Sequence, residues 1–128
     1  MVCAVLEKDG KILIAKRLKG KQAGFWEFPG GKVEPHESRE EAIQREMMEE
    51  MEVEIEIREY LFCVIHFYDE VKMRLDCYLC ELKSEAIHLN DHSDYRWIDP
   101  YEEVEGLLTA DRKVVEKYRK YLERQNVQ

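Results

Sequence analysis

Three glutamates, Glu46, Glu49 and Glu50, have a spacing that would bring their carboxylates together on one face of a helix. At about 100° per residue they fall within an arc of about 100°, beside the apolar positions of the same segment. Like charges at such spacing repel one another, and partial burial adds a desolvation cost that a multivalent cation would offset. Oxygen ligands suit Mg²⁺ or Mn²⁺, and Mg²⁺ commonly combines a few carboxylates with substrate phosphates. The spacing therefore favours a divalent metal site over a solvated acidic face.

The same segment holds the whole charge excess of the chain, which has 128 residues and a formal net charge of −8. Residues 34–56 contain ten Glu and two Arg, while the other residues carry 18 acidic and 18 basic side chains. An overall acidic chain argues against a nucleic acid polymer as partner, because such binders carry a basic surface. No apolar run is long enough for a membrane span or a secretory signal. We therefore expect a cytoplasmic protein with no membrane partner.

A helix that would carry the three glutamates has a clear start signal. The pattern Ser38-x-x-Glu41 fits a capping box, which predicts a helix from Ser38 to about Met51. Just before it, the segment Phe25–Gly31 ends in Pro-Gly-Gly, which predicts a short aromatic strand followed by a sharp, irregular backbone.

Strands and further helices are predicted on both sides of this helix. Asp9-Gly10 between two apolar runs is a strong hairpin signal. Asp99-Pro100 with Glu102 predicts a second helix start, and the apolar spacing from Val114 to Leu122 predicts a final helix. The predicted strands are Cys3–Leu6, Ile12–Ala15, an alternating run from Val53 that passes into Tyr60–Phe67, Lys72–Leu82 and Tyr95–Ile98. The mixture, with its local hairpins, predicts one domain over residues 1–128, either α+β or a layered α/β/α arrangement.

The four cysteines are predicted to be structural. Cys77-x-x-Cys80 has the spacing of a zinc or redox pair, but it lies in a predicted strand, where residues three apart point to opposite faces. No second pair or histidine cluster completes a set of four ligands. With Cys3 and Cys63, these residues are interpreted as buried free thiols of a reducing compartment.

A 23-residue pattern that includes the three glutamates resembles the Nudix box, G-x5-E-x7-R-E-U-x-E-E-x-G-U, where U is a bulky aliphatic residue. The run from Phe28 to Glu34 and the chain length resemble the MutT-type branch of that family, which cleaves nucleoside triphosphates. The matching residues are Gly31, Glu37, Arg45, Glu46, Met47, Glu49, Glu50 and Val53. The resemblance implies an α+β domain with the layered α/β/α Nudix fold, in which a mixed sheet lies between helices.

One position departs from the pattern, because Glu52 stands where the box has its last glycine. That glycine follows the helix, where a left-handed residue is common, so another residue there costs about 1 kcal/mol. No carboxylate is lost, and we expect reduced stability or a shifted loop with the chemistry retained.

The resemblance also implies roles for residues in and beside the box. Arg45 and Glu37 would orient the metal ligands, and Glu50 followed by Glu46 are the candidates for the base that takes a proton from water. The implied metal ligands are Glu46, Glu49, Glu50 and the carbonyl of Gly30.

Outside the box, members of the family have a further acidic residue before a tryptophan-containing strand, and Asp91 matches this position. Asp91 would be a metal ligand or the base; the alternative is an ordinary loop residue. His88 and His92 flank Asp91, but their segment is not clearly helical and metal ligation is disfavoured. Arg17 resembles the phosphate-contacting arginine of the family, with a solvated charge at a strand end as the alternative. Lys32 is a weaker phosphate candidate.

Three further residues are candidates for base recognition. Trp26 and Phe28 would stack on a base or pack in the core. Asp111 resembles a base-reading position, with capping of the final helix as the alternative. An ionised Asp only accepts hydrogen bonds, which favours a base edge that offers donors, such as the cytosine amino group or N1–H and N2–H₂ of guanine.

The expected activity is Mg²⁺-dependent hydrolysis of (deoxy)nucleoside triphosphates to monophosphate and pyrophosphate, with Mn²⁺ able to substitute. Modified nucleotides such as 8-oxo-dGTP or a modified dCTP are the expected small-molecule substrates. Within the family, hydrolysis of nucleotide sugars or dinucleoside polyphosphates is the rival activity. The alternative outside catalysis is a weakly active or inactive Nudix-fold module that binds nucleotides for regulation. A monomer is favoured.

Overall fold

Seven strands and two helices make up the computed structural model, which describes residues 1–126. The strands are β1 (Val2–Lys8), β2 (Lys11–Arg17), β3 (Trp26–Glu27), β4 (Gly30–Gly31), β5 (Ile55–Tyr68), β6 (Val71–Leu82) and β7 (His92–Ile98). The helices are α1 (Arg39–Met51) and α2 (Thr109–Asn126). Neither helix in residues 1–126 is both long and apolar enough to cross a membrane.

The sheet is mixed, as predicted. Its main path runs β3-β2-β1-β6-β5, with β4 paired to β1 and β7 paired to β2. Strands β1 and β6 are parallel, whereas the other pairs are antiparallel. The predicted hairpin joins β1 to β2, with φ of 52° at Asp9 and 82° at Gly10. Two consecutive positive φ values suit a tight turn whose twist matches the flanking strands.

The strands bury residues on both faces of the sheet. Along β1, Val2 and Ala4 pack with α1, whereas Cys3 and Val5 pack with α2. This alternation is the period of two expected for a strand covered on both sides. The fold is therefore α+β with the mixed sheet between two helices, as predicted.

The cysteines follow the same alternation. Cys77 lies on the α2 side and Cys80 on the α1 side of β6, so the two do not form a shared site. Cys3, Cys77 and Cys80 are buried free thiols, which confirms the prediction for them. Cys63 is a free thiol that is only half-buried, so the prediction of burial is wrong for it. Its neighbours Phe62 and Val64 pack on the α2 side, so the Cys63 side chain points to the opposite face of β5.

Helix α1 begins as the capping box predicts. The Ser38 hydroxyl accepts the Glu41 N–H at 3.0 Å, and the Glu41 carboxylate accepts the Ser38 N–H at 2.9 Å. The helix ends at Met51, and Glu52 takes a left-handed conformation with φ of 53° and ψ of 43°. The residue that departs from the glycine of the box therefore has the backbone conformation that glycine favours.

Glu52→Gly is expected to raise the free energy of unfolding by about 1 kcal/mol, because glycine has no Cβ to disfavour the left-handed conformation. Urea denaturation measures the change. Glu56→Gly, in the extended strand β5, is the matched control and should lower stability by about 0.5–1 kcal/mol. Equal losses from both substitutions would show that the conformation at Glu52 carries no strain.

The prediction that a helix starts at Asp99-Pro100 is wrong. The Tyr101 N–H does donate to the Asp99 carboxylate at 2.8 Å, but only a turn follows. The chain then pairs with β3: the Trp26 N–H donates to the Gly106 carbonyl at 2.7 Å, and the Leu108 N–H donates to the Trp26 carbonyl at 3.0 Å. These bonds to another strand replace the helical bonds, and the helix begins only at Thr109.

Candidate active site

A cavity of about 600 Å³ opens where β4, α1, the loop after β2, the start of β7 and the start of α2 meet. Because these elements are far apart in sequence, only the fold brings their side chains together. Seven of the residues predicted for the site line it: Arg17, Phe28, Gly30, Glu46, Glu50, Asp91 and Asp111. Arg45, Lys32 and Glu49 lie outside its lining.

The three glutamates of α1 occupy different environments. Glu50 is 6% exposed, and its Oε2 is buried without a hydrogen-bond partner among residues 1–126. Glu46 is half-buried at the cavity, whereas the Glu49 side chain is 57% exposed. Burial, followed by the neighbouring Glu46, raises the pKa of Glu50 to about 9. A buried carboxyl beside a second one is the kind of site that a cation stabilises.

Arg45 determines where two of these carboxylates point. Its guanidinium lies 2.8 Å from Glu46 Oε1 and 3.1 Å from Glu49 Oε2. Within residues 1–126, no group of three or more His, Cys, Asp or Glu side chains is arranged to hold a metal ion. The orphaned Glu50 oxygen beside Glu46 fits a cation, while Glu49 is paired to Arg45 outside the cavity.

Arg45 also ties α1 to the loop before it. Its Nε donates to Glu37 Oε2 at 2.6 Å, and its Nη2 donates to Glu37 Oε1 at 3.0 Å. This two-point pairing raises the pKa of Arg45 and lowers that of Glu37. The same Nη2 donates to the Lys32 carbonyl at 3.0 Å, while the Lys32 residue itself is exposed. Lys32 thus contributes a backbone oxygen to this network.

Two glycines allow β4 to approach its neighbours. A Cβ on Gly30 would lie 2.1 Å from the carbonyl oxygen of Val2 in β1. A Cβ on Gly31 would lie 2.5 Å from the carboxyl carbon of Glu46. Gly30 therefore packs against backbone, whereas Gly31 leaves room for a side chain of the cavity.

Glu27 and His92 join the cavity, although sequence reasoning assigned Glu27 no role and disfavoured His92 as a metal ligand. Glu27 Oε1 accepts from Arg17 Nη1 at 2.8 Å, and Glu27 Oε2 lies 2.9 Å from His92 Nε2. His92 Nε2 is also 3.8 Å from Glu50 Oε1. Strand β7 begins at His92, three residues before the predicted start, whereas His88 stays exposed on the preceding loop. The sequence signal for Glu27 was its position as a charged residue between two aromatic residues of a predicted strand, Trp26 and Phe28.

Asp111 lies in the first turn of α2, two residues after the helix begins, so the interpretation that it caps the helix is wrong. Its carboxylate is buried and accepts the backbone N–H of Phe28 at 2.8 Å. The Phe28 side chain belongs to the core cluster on the α2 side. Trp26 lies outside the cavity lining, and the Arg96 guanidinium lies 5.5 Å from the centre of its ring.

The pKa of Asp111 makes stability depend on pH. Burial, the largest cause, raises this pKa to about 7, against roughly 3.9 in an unfolded chain. The stabilising contribution of the protonated carboxyl is complete below about pH 4 and is lost as pH rises through about 7. Asp111→Asn keeps an oxygen for the Phe28 N–H. At pH 8 we expect the free energy of unfolding of this variant to be about 2–4 kcal/mol higher than that of wild type.

Urea denaturation of both proteins at pH 4, 6 and 8 measures this difference. At pH 4 the two proteins should be about equally stable. A difference that stays constant across this range would contradict the raised pKa of Asp111.

The chain is similar to known proteins of one family. A family model described as the NUDIX domain matches residues 1–124. The CTP pyrophosphohydrolase of Escherichia coli K12 is 52% identical over 62 residues, which are 48% of this chain and 46% of that protein. The 8-oxo-dGTP diphosphatase of Proteus vulgaris is 37% identical over 83 residues, 63% of this chain and 74% of that protein. The first of these relatives is therefore matched over less than half of its length.

A solved structure extends the likeness to almost the whole chain. The solution structure of the E. coli ORF135 protein has a TM-score of 0.84 and 31% identity, covering 99% of this chain and 92% of that one. Nudix hydrolases act on small nucleotide substrates and generally use divalent metal cations. With the family model matched over nearly all of its residues, the chain belongs to the Nudix family of hydrolases.

Proposed function

We propose that this chain hydrolyses nucleoside triphosphates to the monophosphate and pyrophosphate with Mg²⁺. The observation that carries the proposal is the buried, unpartnered carboxylate oxygen of Glu50, which lies beside Glu46 in the Nudix helix and at a cavity. In the reaction, water adds to the α- or β-phosphorus and loses a proton to a base. The P–O bond that links this phosphorus to the oxygen bridging the two breaks, and the monophosphate and pyrophosphate separate.

Glu46, Glu50 and the Gly30 carbonyl are the residues that would hold the cations at the cavity, with Glu49 as a further ligand. Bound Mg²⁺ would screen the polyanion, polarise phosphorus and activate water. Glu49 is exposed and paired to Arg45, so the geometry supports it less than the other two carboxylates. Asp91 lines the cavity as an exposed residue and is a candidate ligand or base. Arg45 and Glu37 orient the set from outside the cavity.

Glu50 is the first candidate for the group that takes the proton from the attacking water, with Glu46 as the second. A cation at the site would lower the raised pKa of this carboxyl, and the free oxygen Oε2 of Glu50 is the atom that would then receive the proton. Its burial keeps bulk water away from the carboxyl, which strengthens electrostatic interactions there.

Arg17 is the proposed contact for the polyphosphate. It lines the cavity, and Glu27 occupies its Nη1, while its Nε is buried without a partner among the described residues. A buried guanidinium nitrogen without a partner is costly, and a phosphate oxygen is a suitable acceptor for it. The position of Lys32 outside the lining gives its side chain no support as a second phosphate contact.

Asp111 is the proposed reader of the base. One of its oxygens is taken by the Phe28 N–H, which leaves the other to accept from a donor on the base. The cytosine amino group and the N1–H and N2–H₂ of guanine are such donors. The relatives named CTP pyrophosphohydrolase and 8-oxo-dGTP diphosphatase support the same two bases. We therefore propose cytosine or 8-oxoguanine nucleotides, including a modified dCTP, as substrates.

The site gives no reason to propose a nucleic acid polymer or a membrane as partner. We propose that the chain acts as one domain and as a monomer on this small molecule. We also propose that it acts in a reducing compartment such as the cytoplasm, where free thiols such as those of Cys3 and Cys77 persist.

A substrate panel tests the proposed function. CTP, dCTP, dGTP, 8-oxo-dGTP and ADP-ribose are each incubated with the protein and Mg²⁺, and released pyrophosphate and monophosphate are measured. We expect a cytosine or 8-oxoguanine triphosphate to be cleaved fastest. Cleavage of ADP-ribose alone would contradict the triphosphate assignment, and calorimetric binding of nucleotides without any product would favour the regulatory module.

A further inference from the structure

A buried histidine, His92, lies close to the carboxylates of Glu27 and Glu50, and the proposed mechanism gives it no role. The His92 side chain is 2% exposed. Its Nε2 is 2.9 Å from Glu27 Oε2 and 3.8 Å from Glu50 Oε1, and its Nδ1 is buried without a partner within residues 1–126. Such a placement is costly for a polar ring, which calls for a reason beyond packing.

The sheet brings His92 to this place from a distant part of the chain. Strand β2 lies between β3, which carries Glu27, and β7, which starts at His92. Arg17 is the cross-strand partner of His92, and the register of β2 and β7 shifts between Lys16 and Arg17. A register shift of this kind re-aims side chains at a strand end, often beside a functional site. Three neighbouring strands therefore converge on one hydrogen-bonded group.

The hydrogen bonds in this group have a direction. An ionised carboxylate only accepts, so the His92 Nε2–H donates to Glu27 Oε2. The other oxygen of Glu27 accepts from Arg17 Nη1 at 2.8 Å. His92 thus donates to the carboxylate that also accepts from the Arg17 guanidinium, and the same Nε2 lies near the carboxylate of Glu50.

We infer that His92 is a positioning residue, which acts through Glu27 to hold the Arg17 guanidinium in place for the substrate polyphosphate. The contact between Arg17 and a substrate polyphosphate rests on the proposed function. Because the effect passes through Arg17, substrate binding should depend on His92 more than the chemical step does. The nitrogen that matters is Nε2, since it is the atom bonded to Glu27.

Steady-state kinetics with the fastest-cleaved triphosphate of the panel separates binding from chemistry. His92→Asn removes the donor at the Nε2 position, and we expect KM to rise about tenfold, as for loss of a hydrogen bond to a charged group, with a much smaller change in kcat. His92→Gln places an amide nitrogen near that position and should restore most of the affinity. His88→Asn, on the exposed loop before β7, is the control and should leave both constants unchanged.

A second mutation tests the route through Glu27. In a Glu27→Ala background, His92→Asn should add little further increase in KM, because residues that act through one another are not additive. If His92→Asn does not fold, KM is measured for Glu27→Ala alone, and we expect the same rise.

An NMR measurement without substrate separates this inference from the proposed function. The Arg17 Nε–H signal should be sharp and distinct in wild type, His92→Gln and His88→Asn, and broadened or shifted in His92→Asn and Glu27→Ala. If wild type cleaves no triphosphate, the proposed function fails, while this signal still decides the positioning role. An unchanged Arg17 signal in His92→Asn, an unchanged KM, or equal loss of kcat in the Asn and Gln variants would overturn the inference.

Discussion

Replacing Glu50 with glutamine is expected to lower kcat for pyrophosphate release by about 1,000-fold, within the range for loss of a catalytic acid–base group. Glutamine keeps the size of the side chain but removes both the charge that would hold a cation and the base that would receive a proton. Because burial raises the pKa of Glu50 to about 9, the metal-free wild type must keep this carboxyl protonated at neutral pH, a cost that glutamine does not have. Without metal, the variant should therefore be at least as stable as wild type. A fall in kcat could then not be attributed to unfolding of the variant.

The control for this prediction is Glu56→Gln, which removes an exposed carboxylate from β5 and should leave kcat unchanged. Pyrophosphate release in Mg²⁺ is measured for all three proteins, and urea denaturation is measured without metal. Turnover by Glu50→Gln at more than about a tenth of the wild-type rate would remove Glu50 from the proposed machinery.

Replacing Gly30 with alanine is expected to lower the free energy of unfolding by about 3 kcal/mol, because overpacking against backbone cannot be relieved by a rotamer change. The added Cβ would lie 2.1 Å from the Val2 carbonyl oxygen, so β1 and β4 would have to separate. Urea denaturation measures the loss.

The adjacent glycine provides the matched control. A Cβ on Gly31 meets the end of the Glu46 side chain, which can turn away at little cost. Gly31→Ala should therefore lose much less stability than Gly30→Ala, while pyrophosphate release falls because Glu46 is displaced. Equal stability losses for the two variants would contradict the different contacts assigned to these glycines.

The elements with strong local signals were predictable from the sequence. The capping box of Ser38 and Glu41 marks the start of α1, and Asp9-Gly10 marks the first hairpin, because each encodes its geometry within a few residues. The arc of carboxylates on α1 was predictable only in part. Glu50 is buried at the cavity, whereas Glu49 is exposed and paired with Arg45. The spacing of four residues allows this ion pair, but helical geometry alone does not report which of the carboxylates faces the cavity.

The features that sequence reasoning missed depend on contacts between distant segments. The false helix at Asp99 has the local capping contacts of a real one, but backbone bonds to Trp26 redirect the chain. Glu27 and His92 are 65 residues apart and meet only because β3 and β7 both pair with β2. Strand order is a property of the whole fold, and no spacing in the sequence encodes it.

The central claim is that the cavity end of α1 binds divalent cations at Glu46 and Glu50. Titration of isotopically labelled protein with Mn²⁺ tests this directly, because a paramagnetic ion broadens the NMR signals of nearby nuclei. We predict that the amide signals of Gly30, Gly31, Glu46 and Glu50 broaden first, that those of α2 beyond its first turns stay sharp, and that Mg²⁺ reverses the effect. Broadening centred on another part of the chain, or the same broadening in Glu50→Gln, would contradict the account.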